Sequence, residues 1–193
     1  MKVTGRYAFT ASRLKVWNAL QDPDVLAATL PGARRLAPMG PDEYAITVDV
    51  GVGSVKGTYD GTFALTDKEE REACTVRATA SGRPGSVTAV ALMRLQDEGA
   101  GAVLTYEADA NVTGPLAGVG QRLMGAAARR TTEQFLSALD EYIAAPPGAE
   151  PALQLERAAP RGGTDPKVVA ASALGGFVLA LIGVAVGRWT ARR

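Results

Sequence analysis

The sequence feature that most constrains the fold is an alternation of apolar and polar residues, repeated in five segments between residues 44 and 112. Successive side chains of a β-strand point to opposite faces, so a period of two gathers the apolar residues of each segment on one face. Turn-forming residues at 40–42, 67–68 and 97–99 separate some of the segments. The pattern predicts an antiparallel sheet with one buried face. The five segments are residues 44–52, 55–65, 74–80, 87–95 and 104–112.

Helices are predicted before and after these strands. Residues 3–9 alternate as a further strand, and Ser12 and Asp22-Pro23 predict the starts of two short helices, the second ending at Pro31-Gly32. Gly114-Pro115 opens a helix of about 28 residues with apolar positions at helical spacing. A long helix lying across a strongly curved antiparallel sheet is an α+β arrangement. The apolar positions of the long helix are Leu116, Val119, Leu123, Ala127, Phe135, Ala138 and Tyr142.

The predicted buried surfaces carry small side chains. Glycine or alanine occupies positions 118, 120 and 125–128 of the long helix, and alanines recur on the apolar faces of the later strands. Protein interiors are close-packed, so small residues on both walls require either a very close approach of helix and sheet or an apolar cavity. An empty cavity is destabilising, so a cavity that persists is expected to hold an apolar ligand. The strand alanines are Ala78, Ala80, Ala89, Ala91, Ala108 and Ala110.

A change in composition separates a globular domain, residues 1–145, from a C-terminal appendage. Residues 146–167 are rich in proline and glycine and are predicted to be a flexible linker. Residues 168–187 contain no charged side chain, and as a helix they would span about 30 Å, the thickness of a bilayer core. We expect one membrane-anchoring helix followed by a basic tail, residues 188–193; a buried core helix is the alternative. The spacing of Gly183 and Gly187 leaves homo-oligomerisation through the tail open.

The absence of histidine excludes many metal and acid–base sites. With no histidine and one cysteine, Cys74, the chain has no Ser-His-Asp triad, Cys-His dyad or imidazole zinc site. The net charge of +1 argues against an extended nucleic-acid surface. The N-terminus has no apolar signal region, which predicts a cytosolic domain. The candidate carboxylates fall on the polar faces of their strands, so we expect no catalytic residue; they are Asp49, Asp60, Glu107 and Asp109.

Three stretches of sequence carry a resemblance to a known family. They are residues 5–36, with Trp17 and the Asp22-Pro23 and Pro31-Gly32 pairs, the glycine-studded residues 51–65, and residues 105–124 leading into the last helix. With the order strand, two short helices, sheet and long helix, they resemble the START-like helix-grip superfamily, also called SRPBCC domains. Within it the sequence is most similar to CoxG, a family of carbon monoxide dehydrogenase subunits. The resemblance covers residues 1–143, and many members also have an apolar tail after a proline-rich linker.

The resemblance implies a function. Proteins of this family resemble accessory factors that recruit a molybdenum-containing carbon monoxide dehydrogenase to the inner face of the membrane. Helix-grip domains bind lipids or other hydrophobic ligands between sheet and helix. We therefore expect a protein at the cytoplasmic face of the cell membrane that binds an isoprenoid quinone, menaquinone or ubiquinone, and presents it to the dehydrogenase as electron acceptor.

Two alternatives to the carrier stay open. The first is a purely structural membrane adaptor for carbon monoxide dehydrogenase, with a solid core and a docking surface such as the Arg34-Arg35 turn, Arg129-Arg130 or the tip at residues 82–85. The second is a small cyclase or hydrolase, as in other members of the superfamily.

The face that each residue occupies predicts which side chains line a ligand cavity. Either Tyr59 or Tyr106 is expected to supply the hydroxyl that a quinone carbonyl needs. For each lining position an ordinary core residue is the competing interpretation, and Cys74 is interpreted as a small core residue. The large predicted lining residues are Tyr59, Phe63, Met93, Tyr106, Leu116, Leu123 and Met124, and the small ones are Ala78, Ala91, Ala110, Gly120 and Ala127.

Overall fold

Seven antiparallel strands form the centre of the structure, a computed structural model that describes residues 1–145. The strands are β1 (Lys2–Phe9), β2 (Ala33–Gly40), β3 (Glu43–Val52), β4 (Val55–Glu69), β5 (Ala73–Gly82), β6 (Gly85–Glu98) and β7 (Gly101–Val112). They are hydrogen-bonded in the order β1-β7-β6-β5-β4-β3-β2, so the first strand pairs with the last.

The five segments with alternating residues form β3 to β7, and residues 3–9 lie in β1, as predicted. Their burial alternates along each strand: in β3, Tyr44, Ile46, Val48 and Val50 are buried and their neighbours are more exposed. Short turns join the consecutive strands from β2 to β7, and Gly53 between β3 and β4 has a φ of 60°, which favours glycine. The period of two therefore identified both the strands and the face of each strand that packs inward.

Strand β2 is an edge strand that the sequence pattern does not predict. The expectation that Arg34 and Arg35 form a turn is wrong, because both residues lie within this strand. Its pairing with β3 is irregular between Ala33 and Arg35 and again between Pro38 and Gly40. Proline and bulges are tolerated at the edge of a sheet, where one side of the strand has no neighbour. These irregularities remove the alternation by which the other strands are recognised.

Two short helices, α1 (Arg13–Ala19) and α2 (Pro23–Thr29), connect β1 to β2. The Asp22 carboxylate caps α2 by accepting hydrogen bonds from the backbone N–H groups of Asp24 at 2.9 Å and Val25 at 3.4 Å. Ser12 is the N-cap residue of α1, although its side chain makes no capping bond. Both predicted helix starts are confirmed, and Trp17 of α1 is buried in the core.

The long helix, α3 (Gln121–Ala144), has 24 residues and follows a short 3-10 helix, Gly114–Val119. The prediction of one continuous helix from Gly114 is wrong because Gly120 has a φ of 94°, which lies outside the helical region. This break changes which side of α3 faces the sheet, so the burial predicted for Leu123 is also wrong: its side chain is 58% exposed. The buried residues of α3 are Met124, Gly125, Ala128, Thr131, Thr132, Phe135, Leu136 and Leu139.

Helix α3 lies across the buried face of the sheet. It contacts both β1, at one edge of the strand order, and β3, next to the other edge. One helix reaches both because the sheet curves around it, which confirms the predicted α+β class for residues 1–145. The predicted linker (146–167), membrane helix (168–187) and basic tail (188–193) lie outside the described residues. Within residues 1–145, no helix combines the length and apolarity that a membrane span requires.

Candidate functional site

Most of the residues predicted to line a cavity lie between the sheet and α3. Phe63 and Ala127 are half-buried at the margin of this interior. Gly120 and Leu123 lie outside it, exposed, because the break at Gly120 turns the start of α3 away from the sheet. The buried members of the predicted set are Tyr59, Ala78, Ala91, Met93, Tyr106, Ala110, Leu116 and Met124. Their burial agrees with the sequence, whereas their contact with a ligand stays a prediction.

A row of small side chains crosses the middle of the buried face. Ala78 of β5 pairs with Ala89 of β6, which pairs in turn with Ala110 of β7. All three alanines are at most 7% exposed. Helix α3 adds Gly125 and Ala128 to its own buried face. Small residues therefore occur on both walls of the interior, as the sequence predicts.

Tyr59 of β4 carries a buried hydroxyl without a partner. Its side chain is 1% exposed, and its hydroxyl makes no hydrogen bond within residues 1–145. Burial raises the pKa of this hydroxyl above its ordinary value of 10.0, so at neutral pH it is an uncharged hydrogen-bond donor. The aromatic ring lies over Gly82 of β5, where a Cβ would come within 3.2 Å of two ring atoms. Because Gly82 has no side chain, the Tyr59 ring can occupy this space.

Tyr106 of β7 is buried too, but its hydroxyl interacts with a side chain of α3. Burial raises its pKa, and a hydrogen bond with the Thr132 side chain of α3 partly offsets that rise. The Thr132 hydroxyl donates to the Ala128 carbonyl oxygen at 3.0 Å, which holds the threonine side chain on the buried face of α3. The sequence treats the two tyrosines as equivalent, and the structure distinguishes them. Sequence reasoning missed Thr132, although a threonine on the buried stripe of a helix was a usable signal.

A groove of about 370 Å³ lies on the opposite, outer face of the sheet. Along it the Thr62 and Thr79 hydroxyls are 3.4 Å apart, and the Arg77 guanidinium lies 3.5 Å from the Asp67 carboxylate. Sequence reasoning missed this groove because its walls are mainly the polar positions of the alternation, which ordinarily face solvent. The residues around it are Met39, Glu43, Thr62, Phe63, Ala64, Arg77, Ala78, Thr79, Thr88, Ala89 and Val90.

The reactive side chains considered from the sequence form no cluster suited to chemistry. Burial raises the pKa of the Cys74 thiol to about 11, which leaves it protonated and a poor nucleophile at neutral pH. Asp49 accepts from the Arg34 guanidinium at 2.6 Å, and Asp60 accepts from the Thr47 hydroxyl at 2.7 Å, both on the outer face. In the part of the chain that the structure describes, no group of three or more candidate metal ligands occurs.

Comparison with protein families identifies the chain. The family model of CoxG, described as a carbon monoxide dehydrogenase subunit, matches residues 5–144, which include all of α3 and every strand at least in part. The chain belongs to the CoxG family. The resemblance given by the sequence motifs is thereby confirmed, and the description of the family is that of one component of a larger enzyme. No curated protein matches the chain.

Solved structures of other bacterial proteins are similar to this member of the CoxG family. A conserved protein from Geobacillus kaustophilus is 28% identical, with a TM-score of 0.72 over 75% of this chain and 95% of that one. A START superfamily protein from Mycobacterium smegmatis is 14% identical, with a TM-score of 0.57 over 74% and 96%. The Zhui aromatase/cyclase from Streptomyces sp. R1128 is 16% identical, with a TM-score of 0.53 over 74% and 93%. The last two share the fold with this chain.

Proposed function

We propose that the protein carries a hydrophobic ligand between the membrane and a molybdenum-containing carbon monoxide dehydrogenase. The observation that carries the proposal is the Tyr59 hydroxyl, a buried donor without a partner in residues 1–145. A buried polar group left unpaired costs about 1–3 kcal/mol of stability. A ligand with one acceptor atom would remove that cost when it binds. The START-like fold and the family membership support a hydrophobic ligand and an accessory role.

An isoprenoid quinone, menaquinone or ubiquinone, suits both features of the interior. A quinone carbonyl accepts a hydrogen bond, which the Tyr59 hydroxyl can donate. An isoprenoid chain is apolar and slender, so it needs small side chains such as Ala78 and Ala110 on the wall it passes. The quinone would then serve as the electron acceptor of the dehydrogenase, and the protein itself would have no catalytic residue.

Attachment to the membrane would make such a carrier effective. Residues 168–187 are long and apolar enough, by sequence, for a single anchoring helix. Tethering the domain to the cytoplasmic face raises the local concentration of the quinone in the bilayer and of the dehydrogenase bound to the domain. In this proposal the tail supplies the location and the helix-grip domain supplies the ligand site.

A structural adaptor without a ligand is the second candidate. Ala91, on the apolar face of β6, is 0% exposed, which is compatible with close contact between sheet and helix instead of a cavity. In that case the groove on the outer face of the sheet would be the natural docking surface for the dehydrogenase. The third alternative, a cyclase or hydrolase, has no observation in its favour beyond the shared fold.

The test is to purify the full chain from its native membrane and analyse an organic extract by mass spectrometry. Ala91→Phe would fill the proposed site, and Val90→Phe on the outer face of the same strand is the matched control. Stoichiometric quinone in the parent and in Val90→Phe, but not in a folded Ala91→Phe protein, is the expected result. A stable parent that yields no quinone or other lipid would contradict the carrier and leave the adaptor.

A further inference from the structure

Three segments meet at one end of the sheet, and together we name them the cationic end: residues 53–56, 83–84 and 115–123. The backbone N–H of Leu116 donates to the Pro84 carbonyl oxygen at 2.9 Å. A Cβ on Gly53 would lie 4.0 Å from the side chain of Val119. The β3–β4 turn, the β5–β6 turn and the chain leading into α3 are therefore neighbours at this end.

Apolar groups are exposed at the cationic end. Leu123 is 58% exposed, and Pro115 and Ala117 are exposed on the 3-10 helix beside it. Gly118 and Gly120 lie between them and add no side chain that could cover the apolar atoms. Single exposed apolar residues are common, but here three of them lie within nine residues of sequence at one end of the sheet.

All the charged side chains of the cationic end are positive. Lys56, Arg83 and Arg122 belong to it, and no Asp or Glu occurs in residues 53–59, 81–86 or 110–132. None of these three cations forms an ion pair with another residue among 1–145. The last carboxylate on β7 before the cationic end, Asp109, lies 3.5 Å from the N-terminal amine.

The first turn of α3 adds to this positive potential. It contains no acidic residue, and its N-cap, Gly120, has no side chain to accept from the free N–H groups. The N-terminus of a helix carries the equivalent of roughly half a positive charge. Phosphate groups near Arg122 would therefore meet both a side-chain cation and free backbone donors.

The opposite end of the sheet has a different character. Three cations there are paired: Arg6 with Glu98, Arg13 with Asp97 at 3.1 Å, and Lys68 with Asp42 at 2.6 Å. The cationic end differs from the opposite end in that Lys56, Arg83 and Arg122 have no carboxylate partner within residues 1–145.

From this juxtaposition we propose that the cationic end docks onto an anionic lipid bilayer, with Leu123 and Ala117 entering the headgroup region and Lys56, Arg83 and Arg122 contacting phosphates. Basic side chains around an apolar centre fit an interface whose outer layer is anionic and whose interior is apolar. The uncharged residues 168–187 would cover the apolar part but leave the cations without partners. The bilayer is therefore the better occupant. This contact is separate from any anchoring by the tail and goes beyond the proposed carrier function.

The experiment measures lipid contact at a chosen point of the full-length protein. An environment-sensitive fluorophore is attached to Leu123→Cys or, as a reference on the outer face of β6, to Leu92→Cys. The buried Cys74 thiol, with a pKa of about 11, is not labelled under the same conditions. Both proteins are reconstituted into phosphatidylcholine vesicles with or without phosphatidylglycerol. Since the tail is identical in both, a difference between the two labels reports the contact of the domain.

The expected result is that spin-labelled lipid quenches the label at position 123 in anionic vesicles and leaves the label at position 92 unaffected. High salt should weaken the effect, and Arg122→Gln should weaken it about fivefold, the contribution of one basic residue near an anionic surface. Arg94→Gln, the same change of charge on the outer face of β6, should have no effect. Equal quenching at both positions would overturn the proposal. Another contrary result is that the fluorescence of the label at position 123 reports an apolar environment to the same extent in neutral and in anionic vesicles. That result would overturn the proposal too, and would assign the surface to the chain's own apolar segment. The measurement contains no quinone, so its failure leaves the carrier function untouched.

Discussion

Tyr59→Phe is the substitution that most directly tests the interpretation of the interior. It removes a hydroxyl that is buried and makes no hydrogen bond within residues 1–145, and it leaves the ring over Gly82 in place. Because an unpaired buried donor costs about 1–3 kcal/mol, the ligand-free protein should become about 1 kcal/mol more stable. For a domain of this size, that is a rise in melting temperature of about 3 °C. Equilibrium unfolding in denaturant, with the ligand removed beforehand, measures the change.

The same substitution should weaken the binding of a quinone. A neutral hydrogen bond contributes about 1 kcal/mol net, so the affinity for a short-chain quinone should fall about fivefold. Binding of an apolar hydrocarbon of similar size, which makes no hydrogen bond, should not change. Titrations followed by calorimetry would compare the two ligands.

Tyr106→Phe is the matched control, because it removes a hydroxyl that interacts with the Thr132 side chain. It should destabilise the ligand-free protein by about 1 kcal/mol, the opposite sign to Tyr59→Phe. The reasoning is refuted if both substitutions destabilise the protein equally and neither changes the affinity for quinone. That result would mean that the Tyr59 hydroxyl is paired in solution and plays no part in a ligand site.

Three further predictions concern the framework around the site. The pKa of Cys74 is raised in the folded state from 9.0 to about 11, so the free energy of unfolding should fall by about 2–3 kcal/mol as the pH rises from 9 towards 11. Unfolding measured as a function of pH should show that Cys74→Ala lacks this loss. Gly85 has a φ of 136°, and a Cβ there would collide with a backbone carbonyl, whereas Gly99, with a φ of 60°, has open space around it. Gly85→Ala should therefore lower the melting temperature far more than Gly99→Ala. Equal losses would contradict this account. Leu139→Ala, at a side chain that is 0% exposed, should lower the free energy of unfolding in denaturant by about 2–5 kcal/mol. Leu123→Ala should change it by less than about 0.5 kcal/mol. A large loss at Leu123 would show that the buried side of α3 in solution includes Leu123.

The sheet was predictable from sequence because each of its inner strands obeys one local rule. A strand with one buried face must alternate, and β3 to β7 do so over most of their length. Strand β2 escapes the rule since it lies at an edge, where Pro38 and the charged pair Arg34-Arg35 are tolerated. The error there arose from reading an irregular strand as a loop.

The orientation of α3 was harder to predict because it depends on the backbone conformation of one residue. The apolar residues from Leu116 onwards have the spacing of a single helix, and in one continuous helix Leu123 would lie on the buried face. The positive φ of Gly120 interrupts the helix, and the helix that follows buries Met124 and Ala128 but leaves Leu123 exposed. A glycine allows this conformation, but the sequence alone does not say that it adopts it.

The difference between the two buried tyrosines was beyond any local pattern. Both occupy inward positions on their strands, and both were candidates for the polar contact with a ligand. What separates them is Thr132, a residue of α3 that reaches Tyr106 across the interior. Long-range pairings of this kind follow from the assembled fold, so the sequence could name the candidates but could not choose between them.

The direction of α3 has a consequence for the timing of membrane contact. The helix starts at the cationic end, and its last turns lie at the opposite end, where Asp140 accepts from the backbone N–H of Thr10 at 3.1 Å. At 1.5 Å per residue its length is about 36 Å, so a chain leaving α3 must return that distance to reach a bilayer touched by the cationic end. A flexible linker of the predicted length has a mean span of about 25 Å and a fully extended one of about 70 Å. Such a linker would be long enough to permit docking, but stretching it beyond its mean span would cost chain entropy and favour dissociation of the domain from the bilayer. The length of the linker would therefore influence the lifetime of each contact between the domain and the bilayer.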